Sequence, residues 1–501
     1  MKQFLRSKYT AKCILCVLMI AFIPGLTSCG SKQMQPAEVP AAADESDNVE
    51  SGMSEVHAAA DGSDKAGSEM SEVHVAADGS DATGSGTAEE PYATVSCAAK
   101  TMPGSVIVVH GGTYGPIELD ADASGTEESP TYIRPAEGET VVVQAEEGVC
   151  ISLCNTSHIV IEGLETEGGT HGIDYESTRE AKDAPLCDIT LRKCTVHGVR
   201  GVHGICFYAR NDLTAVSDIT IEECEIYDCQ CGSSESMVLN GNIDGFLIAG
   251  NRIHDNNNIG IDMIGFEGTA MHPDKECGKN PYEAEQVRNG VCRDNIVYNI
   301  STEGNDDYFE DGVYDLCADG IYVDGGRDIE IYNNFIFNCN IGLEVATEHD
   351  PTENELFKVT GVSVHDNVIA DCSVWAGLGF GGYDEDRGFT EDCVFDHNTL
   401  VNNSTQIGVQ RSKNNRIYAN LILGGETGVE FNDDLERADM ENDISGNAAA
   451  DIEDEDSWTD EYGSMYADRQ EIAEGFESLI DDVGSRFIPD GDMMELYRGN
   501  A

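Results

Sequence analysis

The sequence predicts an all-β solenoid, a parallel β-helix, and three observations carry that prediction. From about residue 157 the chain can be laid out in rows that alternate apolar and polar residues with the strand period of two. Rows include SHIVIEGLETEGGTHGIDYE, CDITLRKCTVHGVRGVHGICFY, SDITIEECEIYDC and RDIEIYNNFIFNCNIGLEVA. Most follow one plan: a strand of the form x-I-x-I-x-x-N-x-I, a polar turn, then a second strand opening Gly-Ile or Gly-Val. The third observation is a recurrence, since Asn295, Asn334, Asn367, Asn398 and Asn420 hold one position of the turn region. Asn tolerates left-handed backbone and can hydrogen-bond its equivalent in the next row. Rows this short cannot bury an apolar face alone; stacked, they share one continuous interior. Helical stretches are lacking in the rows, which excludes leucine-rich repeats, and the hairpin turns of a propeller are not seen.

Taken in order, residues 1–28 read as an address and not as part of the fold. Lys2, Arg6, Lys8 and Lys12 precede the apolar run CILCVLMIAFIPGL, which is too short to span a bilayer with ease. The run ends in LTSC, which resembles the lipobox of bacterial lipoproteins. The resemblance implies diacylation of Cys29, and two acyl chains suffice for stable anchoring. The chain is therefore expected outside the cytoplasm, held to the bacterial membrane or surface by lipid only. Residues 29–91 are expected to form a disordered acidic linker. MSEVHAAADGSDKAGSE (53–69) is followed directly by MSEVHVAADGSDATGSG (70–86), a tandem duplication poor in aromatics. Residues 92–435 carry the solenoid, and the strongly acidic segment 436–501 is expected to cap its open end.

The rows resemble the right-handed parallel β-helix superfamily that includes pectate lyases and related glycan-active proteins, over roughly residues 95–435. The entry segment GSVIVVHGGTYGPIELDADASGTEESPTYIRPAEGETVVV (104–143) resembles the opening coils of bacterial surface β-helix proteins. The resemblance implies a polysaccharide or oligosaccharide as partner.

The 501 residues carry 29 Lys plus Arg against 94 Asp plus Glu, a formal charge of −65. That balance argues against nucleic acid, whose backbone binds Lys and Arg, and against adsorption on anionic lipid. A self-repelling surface of this kind favours a soluble monomer and neutral or metal-bridged ligands. The 18 cysteines do not read as a disulfide framework. Cys194, Cys224, Cys229, Cys339 and Cys372 fall at equivalent strand ends, where a small buried hydrophobe fits, so mostly free, inward-stacked thiols are expected.

A solenoid presents outward side chains as columns, with coils about 4.8 Å apart. One column in the second strand of each row reads Asp174, Cys206, Val238, Asp262, Tyr322, Glu344, Gly379 and Gln410; the next includes Glu176, Tyr208, Asn240, Ile264, Asp324 and Ala346. Asp262, Asp324 and Glu344 should cluster across three coils, with Asp262 and Glu344 about 9–10 Å apart. Inverting glycosidases hold their carboxyls about 6.5–9.5 Å apart, leaving room for water, and crowded carboxylates separate in pKa into an acid and a base. These three are the catalytic candidates. Tyr322, Arg288 and His349 would position the sugar, and long bordering loops would add Glu267, Tyr383 and Asp384. A hydrolase of this kind requires no cofactor. A polysaccharide lyase, with Ca²⁺ bridging a polyuronate, and a non-catalytic glycan-binding or surface protein are the alternatives. No Lys stands in the carboxylate columns, which disfavours the lyase. No metal site is indicated beyond a weak CQC at 229–231.

Overall fold

Ile159–Glu162 and Thr195–His197 are three or four residues long, and each buries every second side chain. Such strands become stable only by pairing along their whole length with a neighbour. The computed structural model describes residues 70–179, 181, 185–273, 280–382, 388–431, 441–466, 468–472 and 483–500. It shows three long sheets whose neighbouring strands pair in parallel. The chain visits them in strict rotation: Val106–Val109 in sheet A, Gly112–Tyr114 in sheet B, Ile117–Leu119 in sheet C. It then returns to sheet A with Thr131–Pro135, directly beside the strand it left. Repetition of this circuit makes a right-handed parallel β-helix.

Like residues stack on like in the interior. Ile159, Ile189, Ile219 and Phe246 are in register in sheet A, and the next residue in that column is Gly290. A Cβ at Gly290 would collide with the Phe246 ring, so the glycine makes room for the one bulky member of the column. All fourteen cysteines among the described residues are free thiols. Most are buried, and Cys194, Cys224 and Cys339 donate to interior carbonyls of Ile161, Leu191 and Val297.

The recurring asparagines form a ladder longer than the sequence pattern indicated, running Asn251, Asn295, Asn334, Asn367, Asn398, Asn420, Asn447. Each donates through its backbone N–H and Nδ2 to Oδ1 of the next, at 2.9–3.1 Å. The left-handed residue, however, is the one before each ladder position: Asp294, Asn333, Asp366, His397 and Ala419 have φ of 53–56°. The ladder Asn is thus selected for its side-chain amide and not for backbone tolerance. Substituting Asn367 by Ala strands the donors of Asn334 and the carbonyl of Ile331 in a dry interior. Unsatisfied buried groups cost about 1–3 kcal/mol each. We expect the variant to lose about 3 kcal/mol in chemical denaturation; a loss under about 1 kcal/mol would show the ladder to be incidental.

Two boundaries differ from the sequence reading. Glu72–Val75 pairs in parallel with Val106–Val109, so the second copy of the tandem repeat opens sheet A instead of belonging to the linker. The copies differ here by one residue: MSEVHV at 70–75 has Val75 where MSEVHA has Ala58, and Val75 is fully buried. At the other end the solenoid continues through Asp443–Ser445, Asn447–Ala450 and Gly463–Tyr466. The terminal helix Gly491–Asn500 lies on the flank of sheet B and not over the open end, setting Tyr497 edge-on against Phe335 and Phe337. Phe337 and Tyr298 are the last members of an external aromatic stack, and such an apolar strip needs cover. Residues 1–69, with Cys29, lie outside the described residues, and among those described no helix is long and apolar enough to cross a membrane.

Candidate functional site

Sheet C carries the carboxylates. Asp262 stands on Ile261–Ile264, Asp319, Tyr322 and Asp324 on Asp319–Asp324, and Glu344 on Ile341–Thr347, three successive coils. Asp262 pairs in register with Tyr322, and Tyr322 with Glu344. Alternation turns Ile321, Val323, Leu343 and Val345 into the core and leaves the intervening residues on the outer face. In the same column Glu344 is followed by Gly379 and then by Gly408, so Gly408 occupies the place expected for Gln410. The displacement arises because the strand Thr405–Val409 brings Gly408, not its neighbours, into pairing with Gly379.

These groups are outward-facing yet nearly dry: Asp262 is 2%, Asp319 3%, Asp324 6%, and Glu344 and Tyr322 8% exposed. Burial therefore dominates their titration. It pushes Asp262 well above the usual carboxylate range, helped by the charges of Glu235, Asp324 and Asp319. Asp324 is raised by burial and by Glu348 and Glu267, against the hydrogen bond from the Glu348 N–H. Burial likewise raises the Tyr322 phenol, with Asp324 and Glu344 adding to it.

Asp319 and Glu344 are the pair the sequence did not reveal. Their carboxyls lie within reach of one another and each perturbs the other's titration, while Asp319 Oδ1 is buried with no other hydrogen-bond partner. Two carboxyls can share a hydrogen bond only if one holds a proton. Burial, the Glu344 charge and the contact itself push Asp319 well up. Glu344 is raised by burial but lowered by that same contact, and comes to about 7. The pair thus titrates as a unit. Asp262 stands two coils from Glu344, across Tyr322, and its Oδ1 is buried without a hydrogen-bond partner.

The rim comes from the loops. Phe266 has φ of 76°, a strained value for a bulky residue, and packs on His349 and Phe357. The adjacent Glu267 meets His349 at 3.0 Å. Tyr308, on the loop after Ile296–Ile300, feels the charges of both Glu235 and Glu348. On the far side of Glu344, the Trp375 indole lies flat on Gly379 and Gly408, where any Cβ would displace it. The strand Ala376–Gly382 directs Leu378 and Phe380 inward and Gly379 and Gly381 outward. Its purpose on the outer face is to leave room.

Of the residues expected in the site, Asp262, Tyr322, Asp324 and Glu344 come together, with Glu267 and His349 at the edge. Arg288 does not join them. It belongs to sheet A, in Val287–Arg293, and its guanidinium is taken up by Asn242 Oδ1, the carbonyls of Ile243 and Gln286, and Asp244. A cation so engaged fixes the corner between sheets and turns both terminal nitrogens away from the carboxyls of sheet C. Tyr383 and Asp384 lie outside the described residues. Asp319 sits in ADGIYVDGG, where the Asp-Gly pair reads as a turn; Trp375 had a legible signal in the alternate glycines that follow it.

The fold and this face define a parallel β-helix protein with a carboxyl-lined outer sheet. Over 380 residues the chain is 32% identical to the "Uncharacterized protein YwoF" of Bacillus subtilis (strain 168), covering 70% of this chain and 74% of that one, and it belongs to that family. Residues 279–461 match the family described as "Periplasmic copper-binding protein (NosD)". Within that segment the described residues bring no three His, Cys, Asp or Glu ligand atoms together, so they offer no such cradle for copper. Among solved structures, the GH136 lacto-N-biosidase from Eubacterium ramulus shares the fold at 12% identity and a TM-score of 0.54, covering 75% of this chain and 67% of that one.

Proposed function

We propose that the protein is an extracytoplasmic, lipid-anchored glycoside hydrolase acting on a neutral glycan with inversion. The observation that carries this reading is the stacking of nearly buried carboxyls on three successive coils, Asp262 in register with Tyr322 and Tyr322 with Glu344, with Asp319 beside Glu344. Glu344, charged near neutrality, is the general base that takes a proton from water. Asp319 holds it in place and keeps its charge accessible. Asp262 is the general acid that protonates the departing glycosidic oxygen. Two coil steps separate Asp262 and Glu344 by about 9–10 Å, which admits a water between base and sugar. Asp324, the fourth carboxyl, hydrogen-bonds sugar hydroxyls from the same face, and Trp375 offers a flat apolar surface to a pyranose ring. Tyr322 forms the floor, and Glu267 with His349 the wall.

A hydrolase fits these residues better than a lyase. Abstraction beside a uronate needs a strong base and a cation for the acid group, whereas the groups that raise the site carboxyls here are burial and one another. Extracytoplasmic placement is supported by the LTSC lipobox and by the match to a family described as periplasmic. The lacto-N-biosidase likeness supports a glycan through the shared fold. The test is product analysis after incubating the full-length chain with neutral and uronate glycans. New reducing ends of inverted anomeric configuration are expected. Unsaturated products absorbing in the near ultraviolet, lost with a chelator, would establish the calcium-assisted lyase instead. Retention of glycan without product would establish a binding protein.

A further inference from the structure

Two coils before Asp262, sheet C carries a second cluster that the proposed hydrolysis does not use. The strands His171–Ser177 and His203–Ala209 both open with His-Gly-Ile, and they pair with His171 beside His203 and Asp174 beside Cys206. One ring nitrogen of each histidine and Cys206 Sγ all lie within 4.8 Å of one another. The two rings are 5.5 Å apart and tilted by 56°, so they do not stack as the external histidines on sheet B do. They converge.

Cys206 also differs from the other buried thiols. Cys194, Cys224 and Cys339 belong to the solenoid interior and donate to its carbonyls. Cys206 points the other way, into a small outer cluster with Val238, Ile264 and Tyr208, and its thiol donates to Asp174 Oδ1 at 3.2 Å. His203 is held from behind: its Nδ1 faces the Glu235 carboxylate and the Glu235 carbonyl, each at 3.3 Å. That contact places the ring proton on Nδ1 and leaves the lone pair on Nε2, where the Tyr208 hydroxyl now sits at 3.1 Å and would yield to a metal ion. Thr170 engages Nδ1 of His171 at 3.0 Å in the same manner. Fixed imidazoles with outer carboxylate or hydroxyl partners, around a thiol in apolar surroundings, are what a soft transition-metal ion requires.

We propose that His171, His203 and Cys206 bind a zinc-class transition-metal ion as a three-ligand site on the outer face of sheet C. Zn–N and Zn–S bonds of about 2.0–2.3 Å need only a small closing of this cluster, and the fourth position is left to water. Binding replaces the thiol proton by the metal; Asp174, which already accepts that hydrogen bond, passes the proton to solvent. Entry is from the side of His171, the one ligand that is partly exposed. The ligands lie outside the segment matching the copper-binding family, and the site stands whether or not the carboxyl cluster cleaves a glycan.

The test titrates the full-length chain, with thiols reduced, with Co²⁺ as a spectroscopic stand-in for zinc. A thiolate-to-cobalt charge-transfer band in the near ultraviolet, with the visible bands of a four-coordinate ion, should saturate at one equivalent and be displaced by Zn²⁺. Cys206→Ser should remove the charge-transfer band, and His171→Ala should weaken Co²⁺ binding about 100-fold or more while leaving the far-ultraviolet circular dichroism intact. Cys372→Ser, at a thiol in the solenoid interior, and Glu344→Gln should both keep the band. Absence of a thiolate band in the wild-type chain overturns the proposal, as does a band that persists undiminished in His171→Ala.

Discussion

Replacing Glu344 with Gln is expected to lower glycan turnover about 10³-fold while the chain stays folded. The magnitude follows from what a positioned acid or base supplies, about 10²–10⁴ in rate. The amide keeps the size of the carboxylate and can still bond to Asp319, so packing on sheet C is preserved, but it cannot take a proton from water. Asp262→Asn should cost a similar factor, because the leaving oxygen would then depart unprotonated. The pH profile separates the two roles. Glu344 must be ionised to act, and it is pushed up to about 7, so kcat/KM should rise as pH increases through about 7. Asp262 must be protonated, and it is raised well above its usual range, so activity falls only at higher pH. Asp319→Ala removes the hydrogen bond that lowers Glu344. Bonds to charged groups are worth about 1.5–3 kcal/mol, so the rising limb should move up by about one to two pH units. Undiminished turnover in Glu344→Gln, or a limb unmoved in Asp319→Ala, would reject these roles.

How much of this was legible in the sequence depended on which physical rule applied. The solenoid was legible because period-two alternation, repeated with turn residues at fixed offsets, admits few packings, and the registers of Asp262 with Tyr322 and Tyr322 with Glu344 follow from aligning the Gly-Ile openings. The alignment slipped by two at Gln410, where a short row left no longer strand to anchor it. Asp319 was missed for a different reason. It lies at the strand entry, where the backbone bends out of the sheet, and alternation does not say which way a side chain points at a bend. Arg288 failed because the sequence places it in a long loop bordering the carboxylate column, whereas Val287–Arg293 is a strand of sheet A in which Asn242 and Asp244 take up its guanidinium. The Val75 boundary was hidden by the duplication itself, since two nearly identical segments read as equivalent although the structure pairs the second with sheet A.

The folded chain should be most stable in mildly acidic solution, and its melting temperature should fall as pH rises from about 5 to 8. A carboxyl that is raised on folding binds its proton more tightly in the native state than in the unfolded one. Its contribution is complete below the unfolded pKa and disappears as pH rises through the folded one. For Glu344 that window runs from its ordinary value of 4.5 to about 7, worth about 3 kcal/mol. Asp262, Asp319 and Asp324, raised well above their ordinary 3.8, extend the loss to higher pH. The acid edge has the opposite sign. Burial alone would raise Asp366, but hydrogen bonds from His365 and Arg486 outweigh it and hold the carboxyl well below its ordinary value, so its contribution is present above about pH 4 and lost below. Thermal unfolding between pH 4 and 9 at fixed ionic strength measures both edges. General repulsion among 94 acidic residues would act in the same direction, but it is screened by salt and indifferent to any one side chain. Glu344→Gln discriminates between the two, because it should flatten the fall between pH 5 and 7 at every salt concentration. A variant profile parallel to that of the wild type, or a stability maximum above pH 7, would mean that these carboxyls are charged in the folded protein, and the acid and base assigned to Asp262 and Glu344 would fall with them.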